Sequence, residues 1–437
     1  MKKEKELPMT SHARGLLVLS PLAVFFLLYL LASVVVGDFY KMPVTVAFLA
    51  ACVWAFAVCR PTDFDRKLER FSRGAAHRNI TMMIWIFIMA GAFAHGAKYI
   101  GAVESTVNMT LAVLPPSMLM PGIFLAACLI SLSIGTSVGT IVALMPVAAG
   151  LADAAGISHA MMAGCVIGGA FFGDNLSFIS DTTIAATRTQ GCRMRDKFRA
   201  NVVIVLPAAA LVLAGYAVLG WHESPAAVQV GAFSWWRVLP YLLVLGTALA
   251  GVNVMVVLLL GILSTAAVLV FLPELSFIDW AAAMGSGITG MGELIIVTLL
   301  AGGMLELIRY NGGLSYIVRH LTAHVSSRRS GEFCIALMAA LANLCTANNT
   351  VAIVSVGHIA ARVAARYKIQ PARSAGLLDT FSCAVQGMLP YGAQLLMGSA
   401  LAGVGSLEII PHLYYPAVMG AVAVFFIATG LGERRVG

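Results

Sequence analysis

Residues 168–188, GGAFFGDNLSFISDTTIAATR, place two carboxylates, Asp174 and Asp181, inside an otherwise apolar segment of roughly membrane-spanning length. An ionisable side chain at bilayer depth costs at least ~2.5–3.5 kcal/mol on insertion scales, so its presence there indicates a function. The alternative is that both carboxylates are buried only for packing and bond to neighbouring hydroxyls. Because the membrane makes that burial expensive, the functional interpretation is favoured.

Small oxygen-bearing side chains surround the two acids. If the helix is broken between the acids, these oxygens can form a cation-sized cluster. Sodium is a hard cation that prefers oxygen ligands, and one carboxylate that alternately holds a proton and a cation suffices for exchange. We therefore predict a sodium and proton site, with sodium at Asp174 and Asp181, whose further ligands are Ser177, Ser180, Thr182 and Asn175.

The composition is that of a membrane protein. Of the 437 residues, 60% are hydrophobic and 11% are charged, whereas a soluble domain has about 25% charged residues. The net charge of +8 comes from basic residues clustered in short loops, which orient a membrane protein and do not indicate nucleic-acid binding. The eight cysteines include no CxxC pair, and Walker A and HExxH patterns are absent. We expect no enzyme and no cofactor, and an ion gradient as the energy source.

The apolar segments predict an all-α polytopic protein that forms a single transporter domain over residues 1–437, with about ten transmembrane helices. The expected crossings are Leu16–Val36, Val44–Val58, Ile80–Ile100, Met161–Thr187, Val202–Leu219, Val238–Ala250, Val254–Leu272, Ile288–Ile308, Gly376–Ala400 and Tyr415–Leu431. Basic clusters in the segments 60–78 and 188–199 mark the cytoplasmic side, and both termini are expected there.

Two further apolar segments are interrupted. Pro121–Gly150 is broken at residues 131–140, and Phe333–Ala365 is broken at TANNT, residues 346–350. The predicted sidedness requires each segment to enter and leave on the same side. The favoured prediction is that each segment is a re-entrant hairpin. For Pro121–Gly150 the alternative is two full crossings.

The order of elements repeats along the chain. Thr140 pairs with Thr350 at an offset of 210 positions, and Gly164 with Gly376 at 212. We predict a first repeat over residues 14–199, a connecting helix and loop over 200–235, a second, inverted repeat over 236–402 and a C-terminal helix over 403–437. Inverted repeats are typical of secondary transporters that bind at the midplane. The alternative is chance similarity among many apolar helices.

The hairpin tips and the second repeat supply further candidates. Small polar residues at the tips can face an ion or a solute, although helix–helix contacts are the alternative. The tip candidates are Ser137, Thr140, Asn348, Asn349 and Thr350. Asp379 and Gln386 are the candidates in the second repeat, where Asp379 either binds an ion or lies near the cytoplasmic entrance. Gly387, Pro390 and Gly392 should break the helix after them.

The stretch GDNLSFISDTT resembles the signature of NhaC-type sodium/proton antiporters, a family of the ion transporter superfamily. The matching residues are Gly173, Asp174, Ser177, Ser180, Asp181, Thr182 and Thr183. The resemblance implies an inverted repeat, two re-entrant hairpins, elevator-type movement and a homodimer. The family commonly has Pro at the position of Phe178 and Asn at that of Ile184, and these departures leave the substrate open.

The sequence thus predicts a sodium/proton antiporter of a bacterial-type cytoplasmic membrane. Its expected partners are membrane lipid, sodium and protons. The alternative is a sodium- or proton-coupled carrier or exchanger of small organic acids or amino acids on the same scaffold.

Overall fold

The computed structural model describes residues 12–36, 43–60, 63–178, 180–223 and 230–430, and within these ranges the regular structure is helical, with no strand. The first half contains α1 (His12–Val36), α2 (Val44–Val58), α3 (Phe64–Ala75), α4 (Arg78–Tyr99), α5 (Ala102–Val113), α6 (Leu119–Ile134), α7 (Ser137–Ala155), α8 (His159–Leu176), α9 (Asp181–Gln190) and α10 (Met194–Glu223). The second half contains α11 (Trp235–Leu249), α12 (Val254–Leu269), α13 (Phe277–Gly290), α14 (Gly292–Tyr310), α15 (Gly313–Thr322), α16 (Arg328–Leu344), α17 (Asn349–Arg366), α18 (Pro371–Gln386), α19 (Ala393–Ala402), α20 (Ser406–Ile409) and α21 (Tyr414–Thr429).

Long apolar helices make the chain a multi-pass membrane protein. By length and composition, six helical segments in the described ranges can cross a membrane: Arg78–Tyr99, Pro116–Ile134, Ser137–Ala155, His159–Gln190, Met194–Trp221 and Phe277–Tyr310. A seventh is Ala393–Ala402 with Ser406–His412, a pair bent by 101°. Five further predicted crossings coincide with shorter apolar helices: His12–Leu28, Val44–Val58, Trp235–Leu249, Val254–Leu269 and Tyr414–Thr429. The count of about ten stays a prediction.

The predicted helix breaks are confirmed. The chain leaves helical geometry at 135–136 and at 345–348, in the two interrupted segments, and at 177–178, 180 and 387–392. Gly135 ends α6 with a φ of +73°, in the left-handed region that glycine adopts without steric cost. Both arms of the first segment, Pro116–Ile134 and Ser137–Ala155, are long enough to cross, and the re-entrant hairpin remains a prediction.

One predicted loop contains a helix. The segment between Arg60 and Arg78 was expected to be a loop, but Phe64–Ala75 is helical. Asp63 precedes this helix and its side chain accepts a hydrogen bond from the backbone N–H of Asp65. An N-terminal aspartate that satisfies an unpaired backbone donor stabilises the start of a helix.

The helix starts recur along the chain. The order α6–α7–α8–α9 is followed later by α16–α17–α18–α19. Ser137 and Asn349 begin corresponding helices, and so do Asp181 and Ala393, both pairs 212 positions apart (349 minus 137, and 393 minus 181). In this register Asp174 corresponds to Gln386. The predicted repeat boundaries and the inversion of the second copy remain predictions.

Helix α8 is buried along its whole length after His159 and carries Asp174 into the centre of the protein. Two of its glycines lie against the backbone of α6. A Cβ on Gly173 would lie 2.4 Å from the carbonyl carbon of Ser131, and one on Gly169 would lie 2.5 Å from the carbonyl oxygen of Phe124. Because these contacts are with backbone, α6 has no flexible side chain that can move aside. This close approach fixes the depth at which Asp174 lies.

The substitution Gly173→Ala should lower the thermal stability of the detergent-solubilised protein, because the added methyl group forces α6 away from α8. Overpacking of this kind costs typically ~1–3 kcal/mol. Gly215→Ala is the matched control, since a Cβ at Gly215 meets no atom within 4 Å. Melting followed by size-exclusion chromatography measures both variants, and equal melting temperatures would contradict the account of the α6–α8 contact.

Candidate functional site

Asp174 lies in the last turn of α8 and is 6% exposed. Two hydroxyls donate to its carboxylate: Ser137 Oγ to Oδ2 at 2.9 Å and Ser180 Oγ to Oδ1 at 2.7 Å. In the described part of the chain, no basic side chain forms an ion pair with it. The carboxylate is therefore held by neutral donors alone, in a setting where an uncompensated charge is costly.

The helix break between α8 and α9 forms one wall of this site. Ser180 precedes α9 and its Oγ accepts a hydrogen bond from the backbone N–H of Thr182 at 3.3 Å. The hydroxyl of Thr182 donates to the backbone oxygen of Asp174 at 3.3 Å. These bonds connect the N-terminus of α9 to the C-terminus of α8. The hydroxyl oxygens of Ser137, Ser180 and Thr182 therefore all lie close to Asp174.

The second acid of the motif lies in a different environment. Asp181 is the first residue of α9 and its side chain is exposed, unlike that of Asp174. The expectation that both acids are buried is therefore wrong for Asp181, because this first residue of α9 faces outward while Thr182 and Thr183 after it face inward. Its predicted role as a sodium ligand stays a prediction.

Two other predicted ligands point elsewhere. Ser177 Oγ donates to the backbone oxygen of Leu132 at 3.0 Å. The side-chain oxygen of Asn175 accepts a hydrogen bond from Asn201, and its Nδ2 donates to Thr380 Oγ1 at 3.5 Å. Both side chains join α8 to neighbouring helices, so these contacts position the site and leave the Asp174 carboxylate to Ser137 and Ser180.

The tip residues behave unequally. Ser137, at the start of α7, reaches Asp174, but Thr140 donates to the backbone oxygen of Thr136 at 3.1 Å. Asn348 accepts from the backbone N–H of Val351 at 3.0 Å and so caps α17. Asn349 Nδ2 lies 3.5 Å from Cys383 Sγ. The side chain of Thr350 is half-buried within the first turn of α17.

A chain of hydrogen bonds connects the two tips. Gln386 Nε2 donates to the backbone oxygen of Ala347 at 3.2 Å and to Gln394 Oε1 at 3.0 Å. Gln394 Nε2 then donates to Ser137 Oγ at 2.9 Å, and Ser137 donates to Asp174. Thus Gln386, a predicted candidate, reaches the carboxylate through Gln394, which the sequence did not single out.

A buried ion pair lies beside the site. Lys197 of α10 and Asp379 of α18 are 1% and 0% exposed, and the Lys197 ammonium donates to the Asp379 carboxylate. Lys197 also donates to Thr183 Oγ1 at 2.9 Å and to the backbone oxygen of Asn175. Asp379 therefore lies in a buried ion pair, and its two predicted roles stay predictions. Lys197 belongs to the segment 188–199, which was expected to be a basic loop, but it lies on α10 and its side chain is buried.

A signal for Lys197 is present in the sequence. Asn201, Val205 and Ala208 follow it at helical spacing and are all buried, so Lys197 begins the inward-facing stripe of α10. A lysine in line with such a stripe requires an acidic partner inside the protein.

Beside the second tip lies a cavity of about 130 Å³. Its polar lining comes from α14, from the start of α4 and from the tip, and includes Thr298, Asn79, Thr346 and Asn348. The Thr298 hydroxyl is buried and has no hydrogen-bond partner in the part of the chain that the structure describes. A polar cavity of this volume can hold several water molecules or a small solute.

Similarity to known proteins covers nearly the whole chain. The model of the Na+/H+ antiporter family matches residues 13–221 and 223–431. The Na(+)/H(+) antiporter NhaC of Bacillus subtilis is 24% identical over 381 residues, which cover 79% of this chain and 82% of that protein.

Two other relatives carry names of organic-solute exchangers. The arginine/ornithine antiporter ArcD of Halobacterium salinarum is 24% identical over 361 residues, 74% of this chain and 73% of that protein. The malate-2H(+)/Na(+)-lactate antiporter of Bacillus subtilis is 20% identical over 430 residues, 90% of each chain. With both halves matched by the family model, the chain belongs to the Na+/H+ antiporter family.

Proposed function

We propose that this protein is a sodium/proton antiporter in which Asp174 binds sodium and protons alternately. The observation that carries the proposal is the burial of the Asp174 carboxylate with two hydroxyl donors and no ion-pair partner among the described residues. An unpaired charge inside a protein costs several kcal/mol, so the carboxylate is neutralised either by a proton or by a cation. Because both occupy the same oxygens, uptake of one releases the other.

The oxygens that would hold sodium lie on separate elements. Asp174 belongs to α8, Ser137 to the first tip and Ser180 to the helix break. Hydroxyl oxygens keep lone pairs for a cation after donating their protons, and sodium prefers such oxygen ligands. The exposed carboxylate of Asp181, across the break, is positioned to attract cations from water before they reach Asp174.

Competition of sodium and protons for Asp174 also couples the two fluxes to each other. With sodium or a proton bound, the Asp174 group is neutral, whereas the empty site keeps a buried negative charge. Reorientation of the empty site therefore carries the full desolvation cost, which suppresses uncoupled leak.

For its cellular setting we propose the cytoplasmic (inner) membrane of a bacterial-type cell, with both termini cytoplasmic, surrounding lipid and a homodimeric assembly. Basic side chains on α3 support this orientation, among them Arg66, Arg70 and Arg73. We further propose that the two inverted repeats move in elevator fashion. The relatives are antiporters, and neither an enzymatic activity nor a cofactor is proposed.

An organic solute is the second candidate cargo. The cavity beside Thr298 and Asn348 favours it, and so do the relatives named as exchangers of malate, lactate, arginine and ornithine. In this alternative the ion site at Asp174 is kept and a small organic acid or amino acid occupies the cavity.

The substitution Asp174→Asn should reduce sodium-driven proton flux to background in proteoliposomes that contain a trapped pH dye, because an amide cannot exchange a proton for a cation. Asp65→Asn is the matched control, an isosteric change at an exposed carboxylate of α3, and should retain the wild-type flux.

The amount of folded variant is checked by size-exclusion chromatography before reconstitution. Wild-type flux in folded Asp174→Asn would refute the assignment of the site. Silence of the wild type towards sodium, together with counterflow of malate or arginine, would transfer the proposal to the organic-solute alternative.

Competition for one carboxylate also sets the pH dependence. Each sodium that binds displaces one proton, so the half-saturating sodium concentration should fall by up to about tenfold for each pH unit of increase while the site is mostly protonated. Initial fluxes at equal pH on both sides measure this. A half-saturating concentration that is independent of pH would show that the two ions use separate groups.

A further inference from the structure

The buried charges of this protein are few enough to count. Six charged side chains are buried in the ranges that the structure describes: Lys67, Asp174, Lys197, Glu332, Arg373 and Asp379. Glu332 and Arg373 pair with each other at 3.0 Å, and the Lys67 ammonium donates to the backbone oxygen of Phe56. The charges near the antiport site are therefore those of Asp174, Lys197 and Asp379.

The geometry around Lys197 is that of a charged ammonium. Its nitrogen donates to three acceptors, the Asp379 carboxylate, the Asn175 backbone oxygen and Thr183 Oγ1. The hydroxyl proton of Thr183 is itself directed to Asp379 Oδ2, at 3.4 Å. Thr183 thus offers a lone pair to Lys197, and three N–H donors are needed, which a neutral amine does not have.

Asp379 is satisfied as an anion. Its Oδ2 accepts from Lys197 and Thr183, and its Oδ1 lies 3.6 Å from the donor thiol of Cys383. All three groups donate to the carboxylate, as expected for a carboxylate that is paired with an ammonium. The ion pair of Lys197 and Asp379 therefore contributes no net charge.

The other groups that face Asp174 are neutral or exposed. The tip of α7 contributes Ser137, the helix break contributes Ser180, and α19 contributes Gln394 through Ser137. The exposed Asp181 is solvated. The buried site thus carries a single net negative charge, that of Asp174.

From this count we infer that the protein exchanges one sodium ion for one proton, without net movement of charge across the membrane. In this scheme Lys197 is a positioning residue. Its ammonium stays charged, neutralises Asp379, and holds Thr183 and the end of α8. It does not transfer the exchanged proton. The inference rests on the proposed function, since it assumes that sodium and protons compete at Asp174. Sodium binds as the Asp174 proton leaves to the same aqueous side, so each loaded form of the site is neutral.

The experiment measures the pH gradient at which a fixed sodium gradient no longer drives net exchange. In wild-type proteoliposomes a tenfold sodium gradient should be balanced by a pH gradient of about one unit, whereas two protons per sodium would be balanced by about half a unit. Setting a membrane potential with potassium and valinomycin should leave the balance point unchanged. A balance point near half a unit, or one that moves with potential, would overturn the inference and leave the antiport function standing.

Absence of any sodium-dependent proton flux in the wild type would instead overturn the proposed function, and the inference with it. The two failures are therefore distinguishable in one preparation.

Variants of the ion pair test the role of Lys197. Lys197→Met should abolish exchange, because it leaves Asp379 as a second unpaired charge. The double variant Lys197→Met with Asp379→Asn should restore exchange with an unchanged balance point, since the two removed charges cancel. A packing role for Lys197 would give no such rescue, and a proton-carrying role would move the balance point of the double variant. Either result would overturn the inference.

Discussion

A carboxylate deep in the protein, with no ion-pair partner among the described residues, is the constraint on which the rest of this structure depends. Asp174 is kept at that depth by α8, whose glycines let α6 approach at backbone distance. The break after α8 brings the Ser180 hydroxyl back to the same carboxylate. Each of these features would be a local weakness in a helix that served only to cross a membrane. Together they form a small polar site around a negative charge, and the compensating positive charge must come from a bound cation or proton.

The parts of this architecture that local chemistry determines could be predicted from the sequence. Glycine and proline mark the breaks at Gly135 and at 387–392, because their backbone preferences act without reference to the rest of the fold. Asn348 caps α17 for a similarly local reason. The acid-bearing motif was also recognisable, since carboxylates are rare in apolar segments.

What could not be predicted depends on contacts between distant residues. Lys197 and Asp379 are 182 positions apart, and Gln394 and Ser137 are 257 apart. The stripe on α10 that begins at Lys197 indicates burial, but the identity of its partner, Asp379, depends on how α18 packs against α10. Asp174 and Asp181 have identical side chains, and only the faces that they occupy on α8 and α9 make one buried and the other exposed.

The hydrogen bonds from Gln386 through Gln394 and Ser137 all donate in one direction, towards a single carboxylate. When that carboxylate changes its charge, Ser137 loses or gains a strong acceptor, and the polarisation of the hydrogen bonds behind it changes as far as Gln386, which also donates to the Ala347 carbonyl in the other half of the chain. Ion occupancy and the conformation of the distant tip are then thermodynamically linked, and the linkage is reciprocal. The acid thus lies in one half of the chain, while Gln386, 212 positions after Asp174 (386 minus 174), carries an amide at the other end of the same hydrogen-bonded series.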